Sequence, residues 1–249
     1  ERILLATALV VLVVSASVLI MRASYLNTTL LPHRGGTLVE GIVTSPRFIN
    51  PLLAESPSEL DMTHLVYSGL VRKIDAGTYI PDLAEQYTIS PDGKTYTFVL
   101  RENALFHDGA SVSSSDVVFT VNKALDPQVK SPRAINWQGV VVSAPDERTV
   151  VFKLQQPFSG FIDTTTLGIL PEHLWSQFDT SEFLFAENNI TPIGSGPYMI
   201  NKVRRHNEEA PSEYTLTAFK KFVLGRPFIS RIHLFVFENE KAMSEALSR

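Results

Sequence analysis

The sequence predicts a mixed α/β fold with a β-rich portion, preceded by one helix long enough to cross a membrane. Three observations carry this. Residues 3–21 form an uncharged run of 19, broken only by the mild polarity of Thr7, Ser15 and Ser17. Residues 86–89 and 95–100 alternate, placing Tyr87, Ile89, Tyr96, Phe98 and Leu100 on one side of a period of two. Between them, Ser90-Pro91-Asp92-Gly93 sets proline where φ near −65° opens a turn and glycine where φ turns positive. Third, Ser113 stands three residues before Asp116, the spacing of a capped helix start, and Val117, Val118, Val121, Ala124 and Leu125 follow along one face until Asp126-Pro127 ends it.

Bulk properties narrow the function classes. A chain of 249 residues with 44% hydrophobic and 19% charged side chains can bury a real core. Formal charge is −4; without the first 35 residues and their three basic and one acidic side chains, 19 basic face 25 acidic. Those totals leave no Lys/Arg cluster to serve as a nucleic-acid footprint. Zero cysteines exclude disulfides, thiolate metal sites, cysteine nucleophiles and a lipid-modified N-terminal cysteine.

Taken in order, residues 1–22 read as a membrane anchor or signal segment. A bilayer core of about 30 Å asks roughly 20 apolar residues of a helix, whereas a secretory core is about 7–15. An uncleaved anchor is therefore favoured, although Ser15-Ala16-Ser17 offers small residues to a peptidase. Arg2 and Arg22 flank the run on both sides, so charge alone gives no orientation. Residues 23–36 are polar, with Pro, Gly, Asn27, Thr28 and Thr29, and read as a tether. Residues 38–43 form a first strand; Asn50 and Pro51 open a turn-rich connector; a helix follows over 58–67 with Leu60, His64, Leu65 and Tyr67 near one face. Residues 138–143 and 148–154 read as a hairpin around Pro145-Asp146-Glu147, which makes Trp137 the opening of a strand. A helix starts at Pro171, strands are expected at 198–200, 213–219 and 229–237, and a helix begins at Glu240.

The order and spacing of several runs carry a resemblance. They are Pro81-Asp82-Leu83-Ala84-Glu85, Ser90-Pro91-Asp92-Gly93, Tyr96-Thr97-Phe98-Val99-Leu100-Arg101, and Asp108-Gly109 through Asp116-Val117-Val118-Phe119. Together they resemble bacterial extracellular solute-binding protein family 5, the substrate-binding proteins of oligopeptide, dipeptide and nickel ABC importers. Leu170-Pro171-Glu172-His173, Gly194-Ser195-Gly196-Pro197-Tyr198 and the 220–227 linker fit the same pattern, while Asn50 replaces the family's usual Asp. Either side chain makes the same local backbone bond there.

The resemblance implies a type II periplasmic-binding-protein lobe. Residues 37–46 and 171–249 would form a truncated lobe I, and 47–170 a β-rich subdomain inserted in it. It covers about the first half of a family member, so the chain is expected to be a fragment at both ends, facing outward. The implied function is capture of a short peptide at the extracytoplasmic face of the membrane and delivery to ABC permease subunits, by closure of two lobes. It implies no catalysis, no cofactor and no nucleic acid. The alternatives are another solute on the same fold, such as a nickel chelate or oligosaccharide, or a membrane-anchored ligand sensor.

Candidate chemistry is sparse. Six scattered histidines (33, 64, 107, 173, 206, 233) offer no zinc spacing, and His64 and His173 are expected to be partly buried. No nucleophile elbow accompanies Ser111–Ser115, which read as loop and cap. Gly194-Ser195-Gly196 is too short to cradle phosphate and leads into a strand. For ligand contacts, the resemblance points to Glu55, Ser56 and Pro57, where relatives extend a loop into the cleft, and to Thr165 and Thr166 on the closing side. Arg133 could meet an anion, and Trp137 could form an aromatic wall or pack in the core.

Overall fold

The computed structural model describes residues 1–26, 33–205 and 211–247. Residues 27–32 of the expected tether, and His206, fall outside them. The chain divides into two units, residues 1–33 and 34–249.

The first unit is α1 (Arg2–Leu26), whose side chains through residue 22 are all exposed. It is apolar on every side and long enough to cross a bilayer, a property that a signal sequence shares. Thr7 and Ser17 are internally satisfied. The Thr7 hydroxyl donates to the Ile3 carbonyl at 3.1 Å and Ser17 to Val13 at 2.8 Å, as a polar side chain in hydrocarbon must.

The second unit begins with β1 (Gly35–Val43), α2 (Pro57–Val66) and a hairpin of β2 (Val71–Asp75) with β3 (Thr78–Pro81). Next come β4 (Ala84–Ile89), β5 (Thr95–Leu100), α3 (Ser114–Leu125) and a 3-10 turn, Ala134–Trp137. A second hairpin, β6 (Val140–Ser143) and β7 (Thr149–Leu154), leads to the short helices α4 (Phe161–Thr164) and α5 (Glu172–Trp175). The chain finishes with β8 (Tyr198–Arg205), β9 (Pro211–Ala218), β10 (Ile229–Phe237) and α6 (Glu240–Leu247).

Local sequence explains the middle sheet, ordered β4-β5-β7-β6 and antiparallel throughout. Gly93 closes the first turn by donating to the Ser90 carbonyl at 2.8 Å with φ of +67°. Alternation buries Tyr96, Phe98 and Leu100 of β5 against Val150 and Phe152 of β7. Ile89 departs from that pattern at 48% exposure, because the partly exposed β4 is an edge strand of this sheet. Phe152 meets Phe98, Phe161 and Trp137, and Trp137 meets Phe161, in edge-on or tilted ring contacts at centroid separations of 5.4–5.9 Å. Trp137 does not open a strand: it ends the 3-10 turn, and Gly139 at φ +75° intervenes before β6. The β2–β3 hairpin, turning at Ala76-Gly77, has no counterpart in the sequence reading.

The other sheet, β1-β10-β9-β8, joins distant stretches of chain. β1 pairs with β10 in parallel, Leu38 opposite Ile232 and Val43 opposite Phe237. The Gly194–Gly196 run meets the end of α2 at this junction. Gly196 donates to the Val66 carbonyl at 2.8 Å, and a Cβ at residue 194 or 196 would lie 2.1 or 2.6 Å from Val66 backbone atoms. Only glycine permits that approach.

Candidate functional site

The loop before α2 is tied down by one carboxylate. Glu59 Oε1 accepts from the backbone N–H groups of Arg47 and Phe48, both at 3.0 Å. Its Oε2 accepts from Glu55 at 3.1 Å and Ser56 at 3.0 Å. Burial alone would raise this carboxyl, but the donors at Glu55, Ser56 and Phe48 overcome that and hold it below its ordinary value. Ser56 is the N-cap of α2 and Pro57 its first residue.

Further bonds hold the same loop from the side. Buried Asn50 accepts from the Leu52 N–H through Oδ1 at 2.9 Å and donates through Nδ2 to Asn189 Oδ1 at 2.9 Å. The second bond uses a donor that aspartate lacks, so asparagine here does more than shape the turn. Ser131 donates to the Leu52 carbonyl at 2.6 Å and Arg133 Nη2 to the Ala54 carbonyl at 3.1 Å.

A groove of about 420 Å³ opens beside this loop. α2 and its C-cap contribute Thr63, His64 and Tyr67, the 3-10 turn and its N-cap contribute Trp137 and Arg133, and Phe158 also lines it. Arg133 and Thr166 line it, whereas Glu55, Ser56, Pro57 and Thr165 do not. Glu55 and Pro57 are exposed at the adjoining loop. Thr165 is 2% exposed; its hydroxyl donates to the Ile162 carbonyl at 2.8 Å, while its own carbonyl accepts from Leu70 and Val71. The Thr166 hydroxyl is likewise engaged locally, donating to the Asp163 carbonyl at 2.7 Å.

Three groove residues escaped the sequence reading. The hydroxyls of Thr63 and Tyr67 are buried in its wall with no hydrogen-bond partner among the described residues. Burial pushes the Tyr67 phenol far up, so it stays protonated and able to donate. Asp163 receives Lys73 Nζ at 3.0 Å and Tyr79 Oη at 2.8 Å, and these two bonds hold its carboxyl below the ordinary range. Tyr67 falls inside a segment with a recognisable pattern, but nothing in spacing distinguishes a wall hydroxyl from a packed one. Asp163 meets its partners across about 90 residues of sequence, which no local signal reports.

The arrangement suits binding. His107 is held on both ring nitrogens: Nδ1 accepts from the Gly194 N–H at 3.3 Å and Nε2–H donates to the Gly196 carbonyl at 3.0 Å. Burial lowers its pKa to about 4, which keeps the ring neutral. It is therefore committed to structure and serves no serine. Ser113 and Asp116 cap α3, and Asp116 Oδ1 accepts from the Glu172 N–H at 2.8 Å, tying α3 to α5. Among the described residues no group of three metal-ligating side chains converges. His64 and His173 are exposed rather than partly buried: His64 stands where α2 lines the groove, and His173 reaches out to Asp108 at 2.8 Å.

Residues 78–249 match the model of the bacterial extracellular solute-binding proteins, family 5. The chain belongs to that family. A protein of Brucella ovis, named as an ABC transporter peptide-binding protein, is 35% identical over 173 residues, 68% of this chain and 31% of its own length. The oligopeptide-binding protein AppA of Bacillus subtilis, solved with a nonapeptide, matches at TM-score 0.77 and 25% identity over 87% of this chain and 43% of its own. NikZ of Campylobacter jejuni, solved with Ni(L-His), matches at TM-score 0.73 and 28% identity, covering 85% of this chain and 41% of its own. The chain thus spans about a third of the Brucella relative's length and under half of either solved protein. Its mixed α/β architecture is that of the periplasmic binding proteins, in their N-terminal half.

Proposed function

We propose that the chain is the first part of a membrane-held receptor that captures a short peptide outside the cell and hands it to an ABC permease. Family membership supports solute binding, and the relatives named for peptides favour that ligand class. The observation that carries the reading is a groove of about 420 Å³ that sets Leu60, Trp137 and Phe158 beside Arg133, Asn136 and Asp163. Peptide N–H, C=O and side-chain groups are suitable partners for such a mixed lining. Trp137 and Phe158 would flank a side chain, as binding clefts are mostly apolar with few polar groups. Glu55, Ser56 and Pro57 would meet the ligand from the anchored loop, with Arg133 and Thr166 on the groove wall and Thr165 behind it. Closure of a second lobe would complete the site, with the closed, liganded form favoured by the added contacts.

Residues 37–46 and 171–249 would form one lobe around the β1-β10-β9-β8 sheet, with 47–170 as an insertion carrying the middle sheet. The length and composition of α1 favour retention as an anchor at the extracytoplasmic face, with residues 23–36 as its tether.

The test is peptide titration of the intact protein, followed by emission from its two tryptophans, Trp137 and Trp175. Saturable change that Trp137→Phe abolishes is the expected result. A protein that ignores peptides but shows that change with Ni(L-His) would transfer the reading to a metal chelate, the cargo of NikZ.

A further inference from the structure

The face of the β1-β10-β9-β8 sheet turned away from α2 carries a second opening. Leu216, Ile232 and Leu234 are buried on the α2 side. Cross-strand register sets Thr217 of β9 opposite Arg231 of β10 and Met199 of β8, so these three share the other face. The loop after β9 adds Lys220, Lys221 and Arg226, and the His107–Gly109 turn closes a pocket of about 540 Å³.

Its electrostatics are unlike the rest of the chain. Four cations line it in a protein whose formal charge is −4. None of the four makes a side-chain ion pair or hydrogen bond among the described residues. The one acid in the lining, Asp108, is already engaged, by His173 through Oδ2 and by the Ala110 N–H through Oδ1. His107 is neutral and bonded on both ring nitrogens. Arg226 is decisive: its Nε is buried and has no acceptor. A guanidinium does not deprotonate, so this donor stays charged and unsatisfied. Nε itself is closed to water, so an oxyanion would meet this half-buried side chain through the two terminal guanidinium nitrogens.

We propose that this pocket binds a phosphate-type oxyanion, independently of the groove. Arg226 grips it through the guanidinium fork, whose geometry matches two oxygens of one oxyanion. Lys220, Lys221 and Arg231 supply the remaining charge, and Thr217 and Ser230 bring hydroxyls to the same lining. Four cations exceed what one carboxylate needs, which favours a multiply charged phosphate. The volume leaves room for a small group attached to it.

The test is thermal unfolding of the full chain in neutral detergent, with sodium phosphate against sodium chloride at equal ionic strength. The expected result is a midpoint that climbs with phosphate concentration in the manner of a ligand bound only by the folded state. Arg226→Met should abolish that climb while leaving the midpoint in chloride unchanged or higher, because it deletes an unsatisfied donor. A Lys220→Ala/Lys221→Ala double variant, on exposed side chains, should weaken apparent phosphate affinity at least tenfold. Broadening of the phosphorus resonance of inorganic phosphate gives a second readout. Phosphatidylglycerol bicelles in place of the salt separate a lipid headgroup from a dissolved ion, either being expected to depend on Arg226. Equal midpoints in phosphate and chloride, with no Arg226-dependent response to the bicelles, would overturn the proposal. So would a response that Arg226→Met leaves intact.

Discussion

The groove and the cationic pocket differ in how their polar groups are used. Beside the groove, Glu59, Asn50, Ser131 and Arg133 are occupied in holding the 47–56 loop, and most of the remaining wall is apolar. Around the pocket, the four cations hold nothing among the described residues, and only His107 and Asp108 are engaged in structural bonds. In the first region those four side chains are consumed in holding the loop that borders the cavity. The second is a set of charges held in place by the sheet and left available. Substitutions at Glu59, Asn50 and Ser131 should therefore act mainly on stability, and those at the four cations mainly on what the protein holds.

The strongest effect should come from the aromatic cluster beneath the groove. Phe152 contacts Phe98, Trp137 and Phe161 and is fully buried. Phe152→Ala should cost about 3–5 kcal/mol, measured by urea unfolding followed through tryptophan emission. A loss below about 1 kcal/mol would mean that the cluster contributes little to the groove floor.

Next in size is the response to acid on the pocket side. His107 is buried and neutral with a pKa near 4, while an unfolded histidine titrates near about 6.5. Between those values the unfolded state binds more protons. Stability from this residue is therefore complete above about pH 6.5 and falls as pH drops toward 4, by about 3 kcal/mol in all. His107→Gln, which keeps one acceptor and one donor, should flatten urea midpoints measured from pH 7 to 4.5. An unchanged slope in the variant would assign the acid sensitivity elsewhere.

The smallest effect concerns the anchored loop. Glu59→Gln retains one acceptor oxygen and turns an amide toward backbone donors, at a cost of about 2 kcal/mol. Because the Glu59 carboxyl is lowered on folding, its contribution is present above the unfolded carboxyl pKa of about 4.3 and disappears as pH falls through the lower folded value. The variant should close its gap to the parent below about pH 4, and a constant gap would mean the charge plays no part.

Local chemistry made much of this legible. The Ser90–Gly93 turn, the β6–β7 hairpin and the start of α3 follow from residues only a few positions apart, and each stands where spacing puts it. Trp137 was misjudged because an apolar run after a polar one resembles a strand start, whereas Gly139 defers the strand. For the ligand contacts, the sequence reading marked Arg133 and Thr166, which line the groove, but gave no sign of Thr63 or Tyr67. Whether a hydroxyl is left without a partner depends on everything packed around it.

By itself the sequence determined the apolar helix, the hairpins, the capped helix starts and, through long spaced runs, the family. Tertiary structure alone decided the parallel pairing of β1 with β10, the gathering of four backbone donors onto Glu59, and the isolation of Arg226 among unpaired cations. Turns and caps are fixed by dihedral preferences and bonds within a few residues. Burial and charge compensation are sums over neighbours that only the folded chain assembles.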